Sequence, residues 1–149
     1  MTDETAPLRI VTVCLGNYCR SPFAATVLAT RGGPALTVRS AGLLASWEGK
    51  PAHPFMIAAA ARRGYDLTAH RGVRVSAELL DWADLVLAMD TAVLDALRDL
   101  AGAGNAPKLR LYLEGVDVPD PMGRPEGAFT ACAAVIESGA DRYLPRPPD

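Results

Sequence analysis

Four short apolar segments lie along the chain, and each has the composition of a buried β-strand. Residues 85–89 carry no polar side chain, which is typical of a strand covered on both faces of a parallel sheet. The four predicted strands are residues 8–13, 36–40, 85–89 and 108–113.

Helical periodicity and capping residues occupy the segments around these strands. The pattern at 51–64 ends in two arginines and a glycine, a basic last turn followed by a common helix stop. Ser76 and Asp90 are favourable N-caps for two further helices. The predicted helices are residues 21–30, 51–64, 76–83, 90–100 and 127–143. Because strands alternate with helices, we predict an α/β fold of three layers, a four-stranded parallel sheet flanked by helices.

The length of 149 residues suits one hydrophobic core, so we expect a single domain spanning 1–149, with irregular ends at 1–7 and 144–149. A formal net charge of −2, 6% aromatic residues and no basic stripe argue against a nucleic-acid partner. The most apolar stretch, 55–61, is too short to span a membrane, and the polar start lacks a signal sequence. Three cysteines do not form a disulfide framework, and we therefore expect a cytoplasmic protein.

A thiol and an arginine, Cys14 and Arg20, stand six positions apart directly after the first predicted strand. Gly16 and Asn17 between them tolerate positive φ, so the chain can curl there. The serine and proline at 21–22 suit the start of a helix. The segment therefore predicts a ring of backbone N–H groups that closes on a helix N-terminus, which is an anion site.

A thiol at the centre of an anion site has chemical consequences. The helix dipole, the inward N–H groups and Arg20 favour the thiolate of Cys14, which would then be a nucleophile, and the planar fork of Arg20 suits two phosphate oxygens. The best source of a general acid is Asp120, which lies between two prolines after the last strand. The alternatives are a structural cysteine with a surface arginine, and an Asp-Pro pair that only forms a turn.

The sequence of 13–22, Val-Cys-Leu-Gly-Asn-Tyr-Cys-Arg-Ser-Pro, resembles the low-molecular-weight protein tyrosine phosphatases. Residues 40–42, 87–90 and 120–121 also fall where that family has the same or similar residues, and the match covers nearly the whole chain. The resemblance implies a four-stranded parallel sheet with a phosphatase-type anion loop after the first strand. It implies no metal or organic cofactor.

The resemblance also implies roles for individual residues. Cys14 would form a phosphocysteine, Arg20 would bind the phosphate, and Ser21 would stabilise the departing thiolate. Asp120 would protonate the leaving group and then act as the base for water. Ser40 and His70 would support the loop by holding a left-handed Asn17. The residues implied to contact the substrate are Leu15, Gly16, Asn17, Tyr18, Cys19, Trp47 and Met122.

Two departures from the family pattern bear on the substrate, which the resemblance implies to be a phosphoprotein carrying phosphotyrosine. Tyr18 stands where most members have isoleucine, and Met122-Gly123 follows Asp120-Pro121 where aromatics are usual. Met122 gives no fixed aromatic face, so preference for phosphotyrosine is expected to be less strict. Related arginine phosphatases have a small polar residue at the Tyr18 position, which counts against that activity.

Several alternatives stay open at this point. Cys19 is interpreted either as a redox partner of Cys14, as in some family members, or as a space-filling residue. Competing functions are a protein-arginine phosphatase, an arsenate-reductase-like thiol oxidoreductase and a non-catalytic phosphate-binding module. The second of these would need further redox cysteines, and residues 67–110 contain none. A cognate tyrosine kinase is a candidate partner.

Overall fold

The computed structural model describes residues 6–145, and a parallel sheet of four strands forms its centre. The strands are β1 Leu8–Cys14, β2 Leu36–Gly42, β3 Leu85–Ala88 and β4 Leu109–Leu111. They lie in the order β2-β1-β3-β4, and every adjacent pair is parallel. The predicted α/β fold with a four-stranded parallel sheet is confirmed.

Five α-helices cover the two faces of this sheet and complete the three layers. They are α1 Arg20–Gly32, α2 Pro54–Arg62, α3 Ala77–Trp82, α4 Thr91–Asn105 and α5 Glu126–Gly139. Helix α5 contacts both α1 and α2 on one face, and α3 contacts α4 on the other. Neighbouring residues of β1 alternate between the two cores, since Ile10 belongs to the first and Val11 to the second.

Two predicted helix starts are confirmed, and several predicted boundaries are wrong. The side chains of Ser76 and Asp90 cap α3 and α4 by accepting from Leu79 N–H and Val93 N–H. The helix predicted at 51–64 begins only at residue 54, because the residue before a proline is disfavoured in the helical region.

The remaining boundary errors lie in the second half of the chain. The helix predicted at 90–100 continues to residue 105, although Gly102, with φ of 69°, interrupts its regular geometry. The strand predicted at 108–113 contains only 109–111, because a 3₁₀ turn precedes it. The helix predicted at 127–143 is α-helical to 139 and then continues as a 3₁₀ turn.

The irregular ends predicted at 1–7 and 144–149 lie mostly outside the described residues. None of the helices in residues 6–145 combines the length and apolar character that crossing a membrane requires.

The carboxyl ends of the strands meet at one edge of the sheet, where ligands bind in this class of fold. Cys14 at the end of β1 is paired with Gly42 at the end of β2. A Cβ atom on Gly42 would lie 2.7 Å from the backbone nitrogen of Asn17. Only glycine at this position therefore lets the loop after β1 pack against the end of β2. The edge of the sheet therefore holds residues 14–20 closely.

Candidate active site

The segment 14–20, which we call the anion loop, curls from the end of β1 into the start of α1. Cys14 is buried at its beginning. Asn17 has φ of 54° and is the only non-glycine residue with positive φ in residues 6–145. This turn directs the backbone N–H of Asn17 to Cys14 Sγ at 3.2 Å. The sulfur thus sits inside the curl of the loop, next to the N-terminus of a helix.

A hydroxyl group lies on the other side of the sulfur. Ser21 Oγ is 3.0 Å from Cys14 Sγ, and it accepts a hydrogen bond from Asn17 Nδ2 at 2.8 Å. Ser21 Oγ also lies 3.3 Å from the Ala41 carbonyl oxygen, so its single proton can be donated to that carbonyl or, over the shorter distance, to the sulfur. The sulfur therefore has two polar neighbours, the Asn17 N–H and the Ser21 hydroxyl.

Asn17 connects the anion loop to two distant segments. Its Nδ2 also donates to Ser40 Oγ at 2.9 Å, and its Oδ1 accepts from Val73 N–H at 2.8 Å. Its carbonyl oxygen lies 2.9 Å from His70 Nε2, which must be the donor. Burial lowers the pKa of His70, so its neutral form is favoured and the proton lies on Nε2. The structure thus gathers Ser40 and His70 around Asn17.

Arg20 is only 3% exposed, and its charge is compensated inside the protein. Its Nη1 donates to Asp90 Oδ2 and to the Val118 carbonyl, both at 2.8 Å. Burial opposes the charge, but the hydrogen bond to Asp90 and the neighbouring Cys14 and Asp120 raise the pKa of Arg20 above its ordinary value. The guanidinium is therefore a fixed cation beside the sulfur.

Sequence reasoning missed Asp90 as a partner of Arg20 and assigned it only as a helix cap. Its carboxylate has both roles, since Oδ1 caps α4 at Val93 N–H while Oδ2 binds Arg20. One signal was present in the sequence. Asp90 follows a buried strand directly, so its side chain lies at the same sheet edge as Cys14.

Asp120 reaches the same place from the other end of the chain. It lies in residues 118–124, which we call the acid loop, and its Oδ2 is 3.8 Å from Arg20 Nη2. Its Oδ1 accepts from Met122 N–H at 3.1 Å, and the side chain is 43% exposed. The loop is attached to the sheet by the hydrogen bond from Val118 N–H to the Met89 carbonyl. The carboxylate therefore stands at the mouth of the site, open to solvent and near the guanidinium.

A cleft of about 130 Å³ lies over the sulfur. Tyr18 and Trp47 form one aromatic surface of it, with ring centroids 5.2 Å apart and planes inclined by 20°. A Cβ on Gly16 would lie 2.8 Å from the Trp47 ring, so glycine is needed for this close approach. The residues that line the cleft are Cys14, Leu15, Gly16, Tyr18, Cys19, Arg20, Trp47, Asp120 and Met122.

The other residues assigned from the sequence stand behind the loop. Asn17, Ser21, Ser40 and His70 are not among the lining residues, and Asn17 and Ser21 are almost completely buried. Asn17 was predicted among the substrate contacts, but its side chain is turned toward Ser21, Ser40 and Val73 instead. These side chains hold the shape of the anion loop.

All three cysteines are free thiols in the structure. Cys19 Sγ donates to Met122 Sδ at 3.4 Å, and burial, with Cys14 and Asp120 nearby, raises the pKa of the Cys19 thiol. Burial likewise raises the pKa of Cys132 to about 12. Both thiols are therefore protonated at neutral pH. Within residues 6–145, no group of three His, Cys, Asp or Glu side chains is arranged as metal ligands would be.

The chain is similar in sequence to phosphatases of known family. The model of the low molecular weight phosphotyrosine protein phosphatase family matches residues 9–146. A probable low molecular weight protein-tyrosine-phosphatase, EpsP of Ralstonia nicotianae, is 34% identical over 138 residues, which cover 92% of this chain and 94% of that protein. A protein-arginine-phosphatase of Geobacillus stearothermophilus is 34% identical over 140 residues, covering 91% of this chain and 93% of that one.

The solved structures agree with the sequence comparison. The structure of Vibrio vulnificus Wzb in complex with benzylphosphonate is 31% identical and superposes with a TM-score of 0.86. The superposition covers 91% of this chain and 96% of that chain. The fold of most of the chain thus has a counterpart of known structure.

Proposed function

Because the chain belongs to the low molecular weight phosphotyrosine protein phosphatase family, we propose that it hydrolyses phosphotyrosine in proteins through a covalent phosphocysteine on Cys14. Membership makes the chain a hydrolase of phosphoproteins. The observation that carries the assignment of residues is the position of Cys14 Sγ, which receives the Asn17 N–H at 3.2 Å in the cleft that also holds Arg20 and Asp120.

In the first step, the Cys14 thiolate attacks phosphorus in line with the tyrosyl oxygen. The S–P bond forms, and the P–O bond breaks with its electron pair moving to the phenol oxygen. Protonated Asp120 donates its proton to that oxygen, so tyrosine leaves as the neutral phenol. The Arg20 guanidinium and the N–H groups at the start of α1 stabilise the charge on the three equatorial phosphate oxygens.

In the second step, water attacks the phosphorus of the phosphocysteine. The Asp120 carboxylate accepts a proton from the water, and the S–P bond breaks with its electron pair returning to sulfur. Ser21 Oγ, 3.0 Å from Cys14 Sγ, stabilises the thiolate that departs. Inorganic phosphate leaves, and the proton on Asp120 is ready for the next turnover. Both steps balance with water and with side-chain and backbone groups of this chain.

The wall of the cleft favours an aromatic substrate. Tyr18 and Trp47 stack at 5.2 Å and offer a flat surface to a phosphotyrosine ring, while the flexible thioether of Met122 can adapt to it. Phosphoarginine is the second candidate, because one relative that covers 91% of the chain is a protein-arginine-phosphatase.

The test is an assay of the purified chain with para-nitrophenyl phosphate in the presence of EDTA and a thiol reductant. We expect turnover in the wild type and a loss of at least about 10⁴-fold in kcat for Cys14→Ser, because the nucleophile is removed. Cys132→Ala, which removes a buried thiol outside the cleft, is the control and should retain turnover.

Peptides that carry phosphotyrosine or phosphoarginine at the same position then separate the two candidate substrates. A higher kcat/KM for phosphotyrosine supports the proposal, and a higher value for phosphoarginine overturns the choice of substrate. A wild type that is inactive under reducing conditions would overturn the mechanism itself.

We also propose the cellular setting that this chemistry needs. A thiolate nucleophile requires a reducing compartment, which supports a cytoplasmic location. Protein phosphotyrosine must be made by a tyrosine kinase, so a cognate kinase would supply the substrate. We further propose that the chain acts as one domain, since residues from 14 to 122 contribute to one cleft.

A further inference from the structure

Large apolar side chains stand exposed around the mouth of the catalytic cleft. Eight such side chains in the described residues are at least 39% exposed, and four of them belong to this region. We call these four the apolar collar: Leu15, Leu44, Phe55 and Met122. An exposed apolar cluster on a soluble protein commonly marks a surface that binds another molecule.

The apolar collar is continuous with the cleft. Leu15 and Met122 line the cleft directly. Leu44 is held beside Leu15, because its N–H donates to the Leu15 carbonyl at 3.0 Å. A substrate chain that inserts a phosphorylated side chain into the cleft must therefore pass over these side chains.

Phe55 extends the apolar collar on the side of Tyr18. Its ring centroid is 5.2 Å from His53, which in turn lies 5.1 Å from Tyr18 in the wall of the cleft. Burial lowers the pKa of His53, so the imidazole between these two rings is neutral at pH 7. The surface from Tyr18 to Phe55 therefore carries no charge at neutral pH.

Charge is scarce inside the cleft. Of the nine residues that line the cleft, only Arg20 and Asp120 are charged. Arg20 is buried against Asp90 and is assigned to the phosphate, and Asp120 supplies the proton for the leaving oxygen. The residues that line the cleft therefore offer no second cation to acidic residues next to the phosphorylated one, whereas apolar residues would gain by removing the apolar collar from water.

We propose that the apolar collar binds large apolar side chains adjacent to the phosphorylated tyrosine, so that the enzyme selects phosphotyrosine in an apolar sequence over phosphotyrosine in an acidic one. This inference rests on the proposed phosphotyrosine phosphatase function. The phosphate and the ring are common to all such substrates, so discrimination among them falls to the surface around the cleft.

The experiment compares two phosphotyrosine peptides of equal length, one flanked by leucine and phenylalanine and one flanked by aspartate and glutamate. We expect the wild type to favour the apolar peptide by about tenfold in kcat/KM, the effect of burying part of one or two large side chains. Para-nitrophenyl phosphate, which has no flanking residues, reports the chemistry alone.

Leu44→Glu tests the apolar collar without touching the cleft lining. It should lower kcat/KM for the apolar peptide about tenfold and change turnover of para-nitrophenyl phosphate by less than about twofold. Leu100→Glu is the matched control, because Leu100 is 48% exposed near the end of α4 while Leu44 is 40% exposed at the cleft. The control should leave both substrates unchanged.

The possible failures are distinguishable. Equal kcat/KM for the two peptides, a preference for the acidic peptide, or no effect of Leu44→Glu overturns the role of the apolar collar while turnover of para-nitrophenyl phosphate stands. Absence of that turnover overturns the proposed function and this inference with it. A wild type that sediments as a dimer and becomes monomeric in Leu44→Glu would assign the apolar collar to a second copy of the chain, which also overturns the proposal.

Discussion

The anion loop and the acid loop face the same cleft, but the protein holds them in different ways. In the anion loop, Asn17 is hydrogen-bonded to groups from β2 and from residues 70–73, and Arg20 is 3% exposed. In the acid loop, Asp120 is 43% exposed, and its ion pair with Arg20 is long at 3.8 Å. Binding of phosphate thus uses a preformed site, whereas proton transfer uses a group that a bound substrate can still reposition.

Asp120→Asn in the acid loop is expected to cause the largest loss of activity. It keeps the hydrogen bond from Met122 N–H but removes the proton, and should lower kcat/KM for a phosphotyrosine peptide by about 10²-fold or more. The loss should be smaller for para-nitrophenyl phosphate, because its leaving group is a weaker base that needs less protonation. Steady-state kinetics on both substrates measure the two losses.

Asp117→Asn is the control for this prediction. Asp117 is an exposed carboxylate directly before the acid loop. Its Oδ1 accepts from Thr91 N–H at the start of α4, an interaction that asparagine preserves. Its kcat should remain near the wild-type value. Equal losses of kcat/KM for both substrates in Asp120→Asn would argue against a role of this carboxylate as the general acid.

A smaller effect, on stability, compares truncations in the two loops. Asn17→Ala removes the side-chain hydrogen bonds to Ser21, Ser40 and Val73 N–H. It also places alanine, which disfavours positive φ, at a backbone φ of 54°. We expect the free energy of unfolding to fall by about 2–4 kcal/mol. Met122→Ala, in the exposed acid loop, should cost about 1 kcal/mol or less.

Urea denaturation of both variants measures these two values. The ratio of the two losses in unfolding free energy is the informative quantity, because both variants truncate a side chain to alanine, one in each loop. If Met122→Ala destabilised the protein as much as Asn17→Ala, the acid loop would be as firmly held as the anion loop.

The smallest expected effect is the pH dependence of stability that comes from His70, which is hydrogen-bonded to Asn17 in the anion loop. Burial, together with the neighbouring Arg71, lowers the pKa of His70 below its ordinary 6.5, while the hydrogen bond to Asn17 partly opposes this. Because the folded pKa lies below the unfolded one, protonation favours the unfolded state. The stability due to neutral His70 is therefore present above about pH 6.5 and is lost as the pH falls below it.

Thermal unfolding between pH 7.5 and pH 5 checks this expectation. His70→Gln, whose amide can donate to the Asn17 carbonyl, should show a weaker decrease of Tm on acidification than the wild type. Some decrease should remain, since the pKa of His53 is also lowered by burial. If Tm of His70→Gln fell with acidification as much as that of the wild type, His70 would not be the group responsible for the decrease.

The sequence predicted most of the fold and the centre of the site, because both depend on local signals. Four apolar runs identified the strands, and the order of Cys14, Gly16 and Arg20 after the first one located the anion loop. The boundaries at 51–64 and 108–113 were wrong because prolines and 3₁₀ turns shift the ends of elements.

Contacts between distant segments could not be found in the same way. Asp90 and the Val118 carbonyl, which hold Arg20, are 70 and 98 residues from it in sequence. No local pattern identifies which carboxylate at the sheet edge meets a given arginine. The apolar collar is equally invisible in the sequence, because Leu44 and Phe55 resemble core residues until their exposure is known.

The central position of β1 in the sheet sets the order in which activity can arise as the chain is synthesised. The strand that carries Cys14 is made first, but it pairs with β2 on one side and with β3, some 75 positions later, on the other. Contacts of such long separation form late in folding. The hydrogen bond of Asn17 with Val73 and that of Arg20 with Val118 also form only after those later residues have been made. A nascent chain on the ribosome therefore carries its nucleophile about a hundred residues before it can become a catalyst, because the site also needs Val118 and Asp120.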